Sequence, residues 1–265
     1  MPPTASAMAR AACPVCGSSR TLEMLRIEGM PLHCNLLWST REGALTCPKG
    51  EIHLTACSGC AHVFNPAFDP ARMEYTERYE NSLFFSPQFQ SYAQGLAQSL
   101  IERHSLRSKD IIEIGCGKGD FLKLLCRLGQ NRGVGFDPSY DPELETELPE
   151  FRVVRDFYGE RYEGYAADFI CCRHVLEHVP DPAAFVATLR RAIGGSRGTT
   201  VFFEVPNGLY SFRDLGIWDI IYEHFSYFTE KSLTTLFHNA GFRVLGTGVE
   251  YDNQFLWIEA APCPA

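Results

Sequence analysis

The stretch at residues 110–129, DIIEIGCGKGDFLKLLCRLG, combines an apolar strand, a glycine-rich turn and a helix predicted to begin near Asp120. Glycine lets the backbone of such a turn approach a ligand closely, and the helix that follows presents free amide groups to that ligand. A single G-x-G-x-G turn, at Gly115, Gly117 and Gly119, is weak evidence because dinucleotide-binding folds begin in a similar way. The stretch therefore predicts a cofactor-binding unit without naming the cofactor.

Two acidic residues indicate what kind of cofactor the turn binds. Glu113 lies inside the predicted strand, and Asp137 stands at the end of the next one, GVGFDP at 133–138. An acid in that second position can accept hydrogen bonds from the hydroxyl groups of a ribose. The glycine spacing departs from the G-x-G-x-x-G pattern of dinucleotide folds. A ribose-containing cofactor other than a dinucleotide is therefore favoured.

The chain around this stretch alternates predicted strands and helices. Helices are expected at 87–106, 183–193 and 230–242, and Gly241 is a helix-ending signal. Alternation of this kind predicts a doubly wound α/β fold with a seven-stranded sheet. The remaining strands are predicted at 151–157, 167–179, 199–207, 243–251 and 253–260.

Four motifs together resemble class I S-adenosylmethionine-dependent methyltransferases. They are EIGCGKGDFL, GFDPS, LEHVPDP and EVPN, and the two last predicted strands are similar to that family's terminal hairpin. The resemblance implies S-adenosylmethionine as cofactor, with the glycine turn against its methionine and ribose part. It also implies that an acid after the third strand approaches the adenine. The cofactor-binding residues expected on this basis are Glu113, Gly115, Gly117, Gly119, Asp137, Asp156 and, as a residue closing the pocket, Tyr79.

Two C-x-x-C pairs near the N-terminus predict a metal site. Cys13 and Cys16 form one pair, and Cys57 and Cys60 form the other. Four thiolates brought together suit a tetrahedral structural zinc ion. Disulfides are the alternative, but nothing in the sequence indicates an oxidising compartment. Three further residues are spare candidate ligands: Cys34, Cys47 and His62.

A narrower resemblance covers the whole order of motifs. The chain resembles the sugar C-methyltransferases that act on nucleotide-linked keto-deoxysugars. The resemblance rests on the order of four features: a four-cysteine module, YENSLFFSPQFQSY, the methyltransferase core and YEHFSYFT at 222–229. The resemblance implies a nucleotide-sugar substrate and methylation of a carbon next to a carbonyl. Those enzymes typically carry a further C-terminal domain, which is not expected within this sequence. The predicted division is a zinc-binding module at 1–75 and a methyltransferase domain at 76–265.

The YEHFSYFT segment is either a buried aromatic loop or part of an active site. Its expected place, after the fifth strand of the core, is over the carboxyl edge of the sheet, where ligands of α/β folds bind. We predict His224 as the general base, with Glu223 orienting or polarising either His224 or the substrate. Tyr222 or Tyr227 is predicted to donate a hydrogen bond to the oxygen of the enolate that forms. His178, in LEHVPDP, is the next candidate for the base.

Composition limits the other functions. The formal net charge is −8 and the sequence contains no long run of lysine and arginine, which argues against nucleic acid as a partner. A zinc-ribbon RNA methyltransferase is therefore a weaker interpretation than an O- or N-methyltransferase of another natural-product scaffold. The N-terminus has no apolar signal region and no apolar run is long enough to span a membrane, so a cytoplasmic protein is expected.

Overall fold

The structure is a computed structural model that carries no ligands. It describes residues 11–34, 36–73, 82–141, 143, 149–162, 165, 167–195 and 198–264. Tyr79, predicted to close the cofactor pocket, lies outside the described residues.

The N-terminal part begins with a long antiparallel hairpin. Strand β1 (Thr21–Pro31) pairs with β2 (Lys49–Cys57), and the short helix α1 (Arg41–Thr46) lies in the connection. A two-residue strand, β3 (Val63–Phe64), pairs with the end of β2. One C-x-x-C pair precedes β1, and the other begins at Cys57, the last residue of β2, and ends before β3.

The rest of the chain alternates strands and helices as predicted. Its elements are α2 (Pro87–His104), β4 (Asp110–Ile114), α3 (Asp120–Gly129), β5 (Arg132–Phe136), β6 (Phe151–Val154), β7 (Phe169–Arg173), α4 (Pro182–Ile193), β8 (Thr200–Pro206), α5 (Gly208–Phe212), β9 (Ser226–Tyr227), α6 (Glu230–Asn239), β10 (Phe242–Glu250) and β11 (Phe255–Pro262).

Seven of these strands form one sheet in the order β10-β11-β8-β7-β4-β5-β6. Strands β4 to β8 are paired in parallel, and β11 and β10 close one edge as an antiparallel hairpin. The predicted α/β fold with seven strands is thus confirmed. The chain reverses its direction across the sheet between β4 and β7, and ligands of such sheets bind at the carboxyl ends of the strands beside that point.

Helices cover both faces of the sheet. Neighbouring residues Ile111 and Ile112 point to opposite faces, because side chains alternate along a strand. Ile111 packs with α2 and α3, and Ile112 packs with α4 and α6. The cysteines Cys13, Cys57 and Cys60 belong to the second of these cores. The N-terminal part therefore shares its hydrophobic core with the sheet.

The N-terminal sheet is completed by a strand from the other end of the chain. Strand β9, inside the YEHFSYFT segment, pairs with β3 through Val63–Tyr227 and Phe64–Ser226. The backbone NH of Asn65 also donates to the carbonyl of Phe225, at 2.9 Å. Sequence patterns did not predict this pairing. The proposed boundary near residue 75 therefore divides the sequence, while the four-stranded sheet contains residues from both sides of it.

One predicted strand is shorter in the structure. The strand expected at 167–179 ends at Arg173, and His174 follows it with a φ of +54°. Residues Leu176–His178 then form a single 3-10 turn. A non-glycine residue with positive φ stops the extended backbone, and it carries the following residues out over the sheet edge. Among the described helices, none has the length and apolarity needed to cross a membrane.

We predict that a methyl group at Gly50 would destabilise the protein, because it would lie 2.1 Å from the ring of Tyr222. Overpacking of this kind costs about 1–3 kcal/mol of unfolding free energy. Urea unfolding of Gly50→Ala should show this loss. Gly95→Ala is the matched control, since Gly95 is helical with open space around it. It should gain up to about 1 kcal/mol. Equal stability of the two variants would contradict the packing of Tyr222 against β2.

Candidate active site

The glycine turn forms a cradle between β4 and α3. Gly115, Gly117 and Gly119 have φ values of +69°, +52° and +78°, a region that favours glycine. The carbonyl of Phe136 accepts from the NH of Gly115 at 2.8 Å, and Asp137 Oδ2 accepts from the NH of Gly117 at 2.8 Å. The end of β5 therefore fixes the turn. A methyl group at Gly119 would lie 2.4 Å from the ring of Phe151, so this backbone needs glycine on steric grounds too.

The loop after β7 lies directly against this cradle. A methyl group at Gly115 would be 2.2 Å from Val175 Cγ2. The segment from His174 to His178 is thus held beside the glycine turn, at the point where the sheet reverses direction. Any group that binds along the turn would face this segment.

Two acids stand at the positions expected for a nucleoside. Asp137 follows β5 directly and is 8% exposed, and its Oδ1 accepts from the NH and the hydroxyl of Ser139 at 2.8 and 2.6 Å. Asp156 follows β6 and accepts from the hydroxyl of Tyr162 at 2.5 Å and from Arg161 at 2.6 Å. Their places are compatible with ribose and adenine contacts, respectively, and these roles remain predictions.

Glu113 is buried near the end of β4. Its side chain is enclosed between β4 and α3, and Oε2 accepts from the NH of Leu122 at 3.1 Å. Burial raises the pKa of Glu113 to about 8. It therefore fastens the start of α3 to the strand. Its contact with a cofactor remains a prediction.

Two histidines meet above the carboxyl edge of the sheet. The ring centroids of His178 and His224 are 5.0 Å apart. His178 Nδ1 lies 2.9 Å from the carbonyl of Glu223, and His224 Nδ1 lies 2.8 Å from the carbonyl of Asp219. Because a carbonyl can only accept, these bonds assign the ring proton to Nδ1 in both residues. Nε2 of each ring therefore carries the lone pair.

The electrostatic environment keeps both rings neutral. Burial lowers the pKa of His224 well below its usual value, and His178 adds to this effect. Burial also lowers the pKa of His178, opposed by its bond to the Glu223 carbonyl. At neutral pH the pair thus offers unprotonated imidazole nitrogens, as a general base requires.

A charged network surrounds the pair. Arg173 donates to Glu204 Oε1 at 3.0 and 2.7 Å, and His174 Nε2 lies 3.1 Å from the same oxygen. Tyr92, from α2, donates to Glu204 Oε2. Burial alone would raise the pKa of Glu204, but Arg173 and His174 bring it down to about 2. This network fixes the strand ends beside the histidines.

Part of this network was foreseeable. A single glutamate inside the apolar strand TVFFEVP is a signal that a buried charge has a partner. The partners themselves, Arg173 and Tyr92, come from a different strand and from α2, and no local pattern connects them to Glu204.

The side chains of Tyr222 and Glu223 contact the N-terminal part. Tyr222 is 1% exposed, and its hydroxyl accepts from the NH of Asp69 at 3.0 Å, within the core of the N-terminal sheet. Glu223 Oε2 accepts from the NH of Cys34 at 2.9 Å, and Oε1 is 3.7 Å from His33 Nδ1. The carbonyl of Asp219, rather than the Glu223 carboxylate, orients the His224 ring. These contacts fasten the segment to the N-terminal part. The catalytic roles of Tyr222 and Glu223 remain predictions.

The four predicted zinc ligands converge. Sγ of Cys13 is 3.6 Å from Sγ of Cys60, and Sγ of Cys16 is 3.6 Å from Sγ of Cys57. All four sulfur atoms lie within 4.8 Å of one another. Four thiolates at about 2.3 Å from a tetrahedral zinc ion are separated by about 3.8 Å. The donor set and its spacing therefore fit zinc.

The spare candidates lie elsewhere. Cys34 is exposed, and Cys47 is buried but is not part of the four-sulfur cluster. His62 is fully buried, where Ser226 Oγ is 3.3 Å from its Nε2 and the rings of Phe64 and Phe228 pack against it. Its burial between β3 and β9 indicates a structural role.

Comparison with known proteins gives the following matches. Residues 89–247 match the family model described as a methyltransferase domain. The chain is 28% identical over 123 residues to a ubiquinone biosynthesis O-methyltransferase of Hydrogenovibrio crunogenus, covering 43% of this chain and 49% of that protein. It is 31% identical over 107 residues to the enzyme of the same name from Yersinia pestis, covering 37% and 43%. The matches thus span just under half the length of these curated relatives.

A solved structure shares the fold. It is the 1,6-didemethyltoxoflavin-N1-methyltransferase of Burkholderia thailandensis, with its substrate and S-adenosylhomocysteine bound. The TM-score is 0.51 at 16% sequence identity, and the match covers 78% of this chain and 97% of that one. At this identity the likeness concerns the fold alone.

Proposed function

Because the chain belongs to the family of S-adenosylmethionine-dependent methyltransferase domains, we propose that it methylates a small molecule at a carbon next to a carbonyl group, on a nucleotide-linked keto-deoxysugar. The observation that carries this proposal is the neutral His224 ring, with its lone pair on Nε2, at the sheet edge beside the glycine turn. A proton on carbon is harder to remove than a proton on a hydroxyl or amine group, so a positioned base matters most for methylation at carbon.

Several observations support a small substrate. The curated relatives are named for the biosynthesis of ubiquinone, which is a small molecule. The net charge of −8 disfavours a nucleic acid. The rings of Tyr227, which packs against His224, and Phe255, which packs against His174, would exclude water from a bound substrate.

In the proposed mechanism this chain's own residues prepare the carbon for methyl transfer. His224 Nε2 would remove the proton next to the carbonyl, because neutral imidazole accepts a proton without a charge having been buried beforehand. When bound, S-adenosylmethionine supplies an electrophilic methyl group. The cofactor would be held by Gly115, Gly117, Gly119 and Asp137, with Asp156 near its adenine. Holding the substrate carbon close to the cofactor's methyl group would contribute much of the rate.

The second candidate is O- or N-methylation of another natural-product scaffold. The names of the curated relatives favour O-methylation, and His224 would serve a hydroxyl substrate equally well. Identification of the methylated atom separates the two functions directly.

The four N-terminal cysteines are proposed to hold one structural zinc ion. Their sulfur atoms fit a closed tetrahedral site without an open position for a substrate. Residues 1–75 would then form a module whose metal folds a loop-rich segment and supports β3, and through it β9. The methyltransferase domain, 76–265, supplies the cofactor site.

The first prediction of this section concerns zinc. Elemental analysis of protein purified without added metal should find about one zinc per chain, and Cys57→Ser should lose it. Cys34→Ser is the matched control and should keep its zinc, because Cys34 lies outside the cluster. A metal-free protein that is folded and active would refute the zinc site.

The second prediction concerns Asp137. Asp137→Ala removes a charged acceptor from the ribose hydroxyls, and a charged hydrogen bond contributes roughly 1.5–3 kcal/mol. The affinity for S-adenosylmethionine, measured by calorimetry, should fall about tenfold or more. Asp141→Ala, an exposed acid on the same loop, should bind normally. Unchanged affinity in Asp137→Ala would remove the ribose assignment.

The third prediction concerns His224. His224→Asn should keep the fold and the cofactor affinity but lose about 10²–10⁴-fold in kcat, the usual contribution of a positioned base. Because the pKa of His224 lies well below its usual value, the wild-type kcat should not decline as pH falls from 7 to 6.5. The variant should also suppress exchange of the substrate's α-proton with deuterated water. His238→Asn, at an exposed position, is the control and should behave like wild type. Near-normal turnover in His224→Asn would indicate His178 as the general base instead.

A further inference from the structure

We propose that Glu177 is a catalytic residue, whose neutral carboxyl group donates a hydrogen bond to the carbonyl oxygen of the substrate while the neighbouring carbon loses its proton. This inference rests on the proposed C-methylation and adds the group that would stabilise the enolate.

Glu177 is placed where a substrate oxygen would lie. It sits in the 3-10 turn after β7, two residues beyond Val175, which packs against the glycine turn. A carboxylate oxygen of Glu177 and one ring nitrogen each of His178 and His224 lie within 4.8 Å of one another. A carbonyl group between them would therefore have its oxygen near Glu177 and its neighbouring carbon near His224.

The side chain is buried and incompletely bonded. Glu177 is 1% exposed, and Oε1 lies 3.7 Å from His174 Nδ1 and 3.9 Å from His178 Nε2, beyond hydrogen-bond length. Within the described part of the chain, Oε2 is buried with no hydrogen-bond partner. A buried polar atom without a partner is costly, and a substrate oxygen would satisfy it.

The surroundings favour the protonated carboxyl group. Burial raises the pKa of Glu177 to about 8, and the carboxylates of Asp219 and Glu204 act in the same direction. Arg173, the nearby cation, is bound to Glu204. The titratable and charged groups that face Glu177 from its own and neighbouring elements are Cys172, Arg173, His174, His178, Glu204, Asp219 and His224.

The other candidate donors are already engaged. His178 and His224 each use their ring proton on a backbone carbonyl, so their Nε2 atoms accept and do not donate. The Tyr227 hydroxyl donates to the carbonyl of Ile221 at 3.3 Å, and Tyr222 lies in the N-terminal core. Glu177 is thus the residue of this group with a proton to offer.

The proposed step is balanced. His224 Nε2 takes the α-proton, and the C–H electron pair moves into the enolate, whose oxygen accepts the hydrogen bond from Glu177. The enolate carbon then forms a bond to the methyl group of the sulfonium cofactor, while the methyl–sulfur pair returns to sulfur. The carbonyl is restored, and the proton on His224 passes to solvent.

The test compares Glu177→Ala and Glu177→Gln in the full chain, with a nucleoside-diphosphate 4-keto-6-deoxyhexose as probe and with wild type and the exposed Glu102→Gln as controls. Cofactor affinity and thermal unfolding establish that each variant is folded. Glu177→Ala should lose about 10²–10³-fold in kcat, the usual effect of removing one such donor. Glu177→Gln, whose amide still donates, should recover at least tenfold over the alanine variant.

The pH profile supplies a second readout. Wild-type kcat should fall as pH rises through about 8, because the ionised Glu177 has lost its donor proton. This alkaline decline should be absent in Glu177→Gln, whose amide does not ionise. A persistent decline in that variant would overturn the proposal, as would alanine turnover within about threefold of wild type or a glutamine variant no better than alanine.

Two further results separate this inference from the proposed function. If wild type methylates oxygen or nitrogen, or shows no α-proton exchange with the probe, the C-methylation itself fails. If wild type methylates carbon but the Glu177 variants do not respond as stated, only the role of Glu177 fails. A second metal ion per chain that is lost in Glu177→Gln would also overturn the proposal.

Discussion

The pairing of β3 with β9 is the interaction on which the site depends. Only two residues of each strand take part, yet they hold the YEHFSYFT segment to the N-terminal sheet. The segment in turn supplies two parts of the histidine pair: the His224 ring and the Glu223 carbonyl that fixes His178. On its other side, the buried Glu223 carboxylate accepts from Cys34. The N-terminal part is therefore structurally continuous with the candidate active site.

Charged and neutral groups occupy different places at the carboxyl edge of the sheet. Arg173 and Glu204 neutralise each other near the ends of β7 and β8, and the guanidinium of Arg173 lies over the ring of Phe121. The histidines and Glu177 lie just beyond it in an environment where burial opposes any net charge. Groups that remain neutral at pH 7 can exchange protons with a substrate without first losing a counter-ion.

The main sheet was predictable because its signals are local. An apolar run followed by glycines defines β4 and its turn, and an acid after the next strand defines Asp137, all within about 30 residues of a βαβ unit. Each C-x-x-C pair is also a local signal, and the preference of zinc for four thiolates predicts that the two pairs meet. The orientation of Tyr222 and Glu223 was not, because it depends on Asp69 and Cys34, far away in the sequence. Similarly, the positive φ of His174 follows from its surroundings and has no sequence signal of its own.

The closure of the N-terminal sheet has a consequence for how this chain folds. His62 and Ser226, which touch across β3 and β9, are 164 residues apart in sequence. Contacts of such high separation form late and slow the folding rate, because a long loop must close first. During synthesis, chains emerge from the N-terminus. The edge of β3 therefore stays unpaired until β9 has been made, and an unpaired strand edge can pair with another chain.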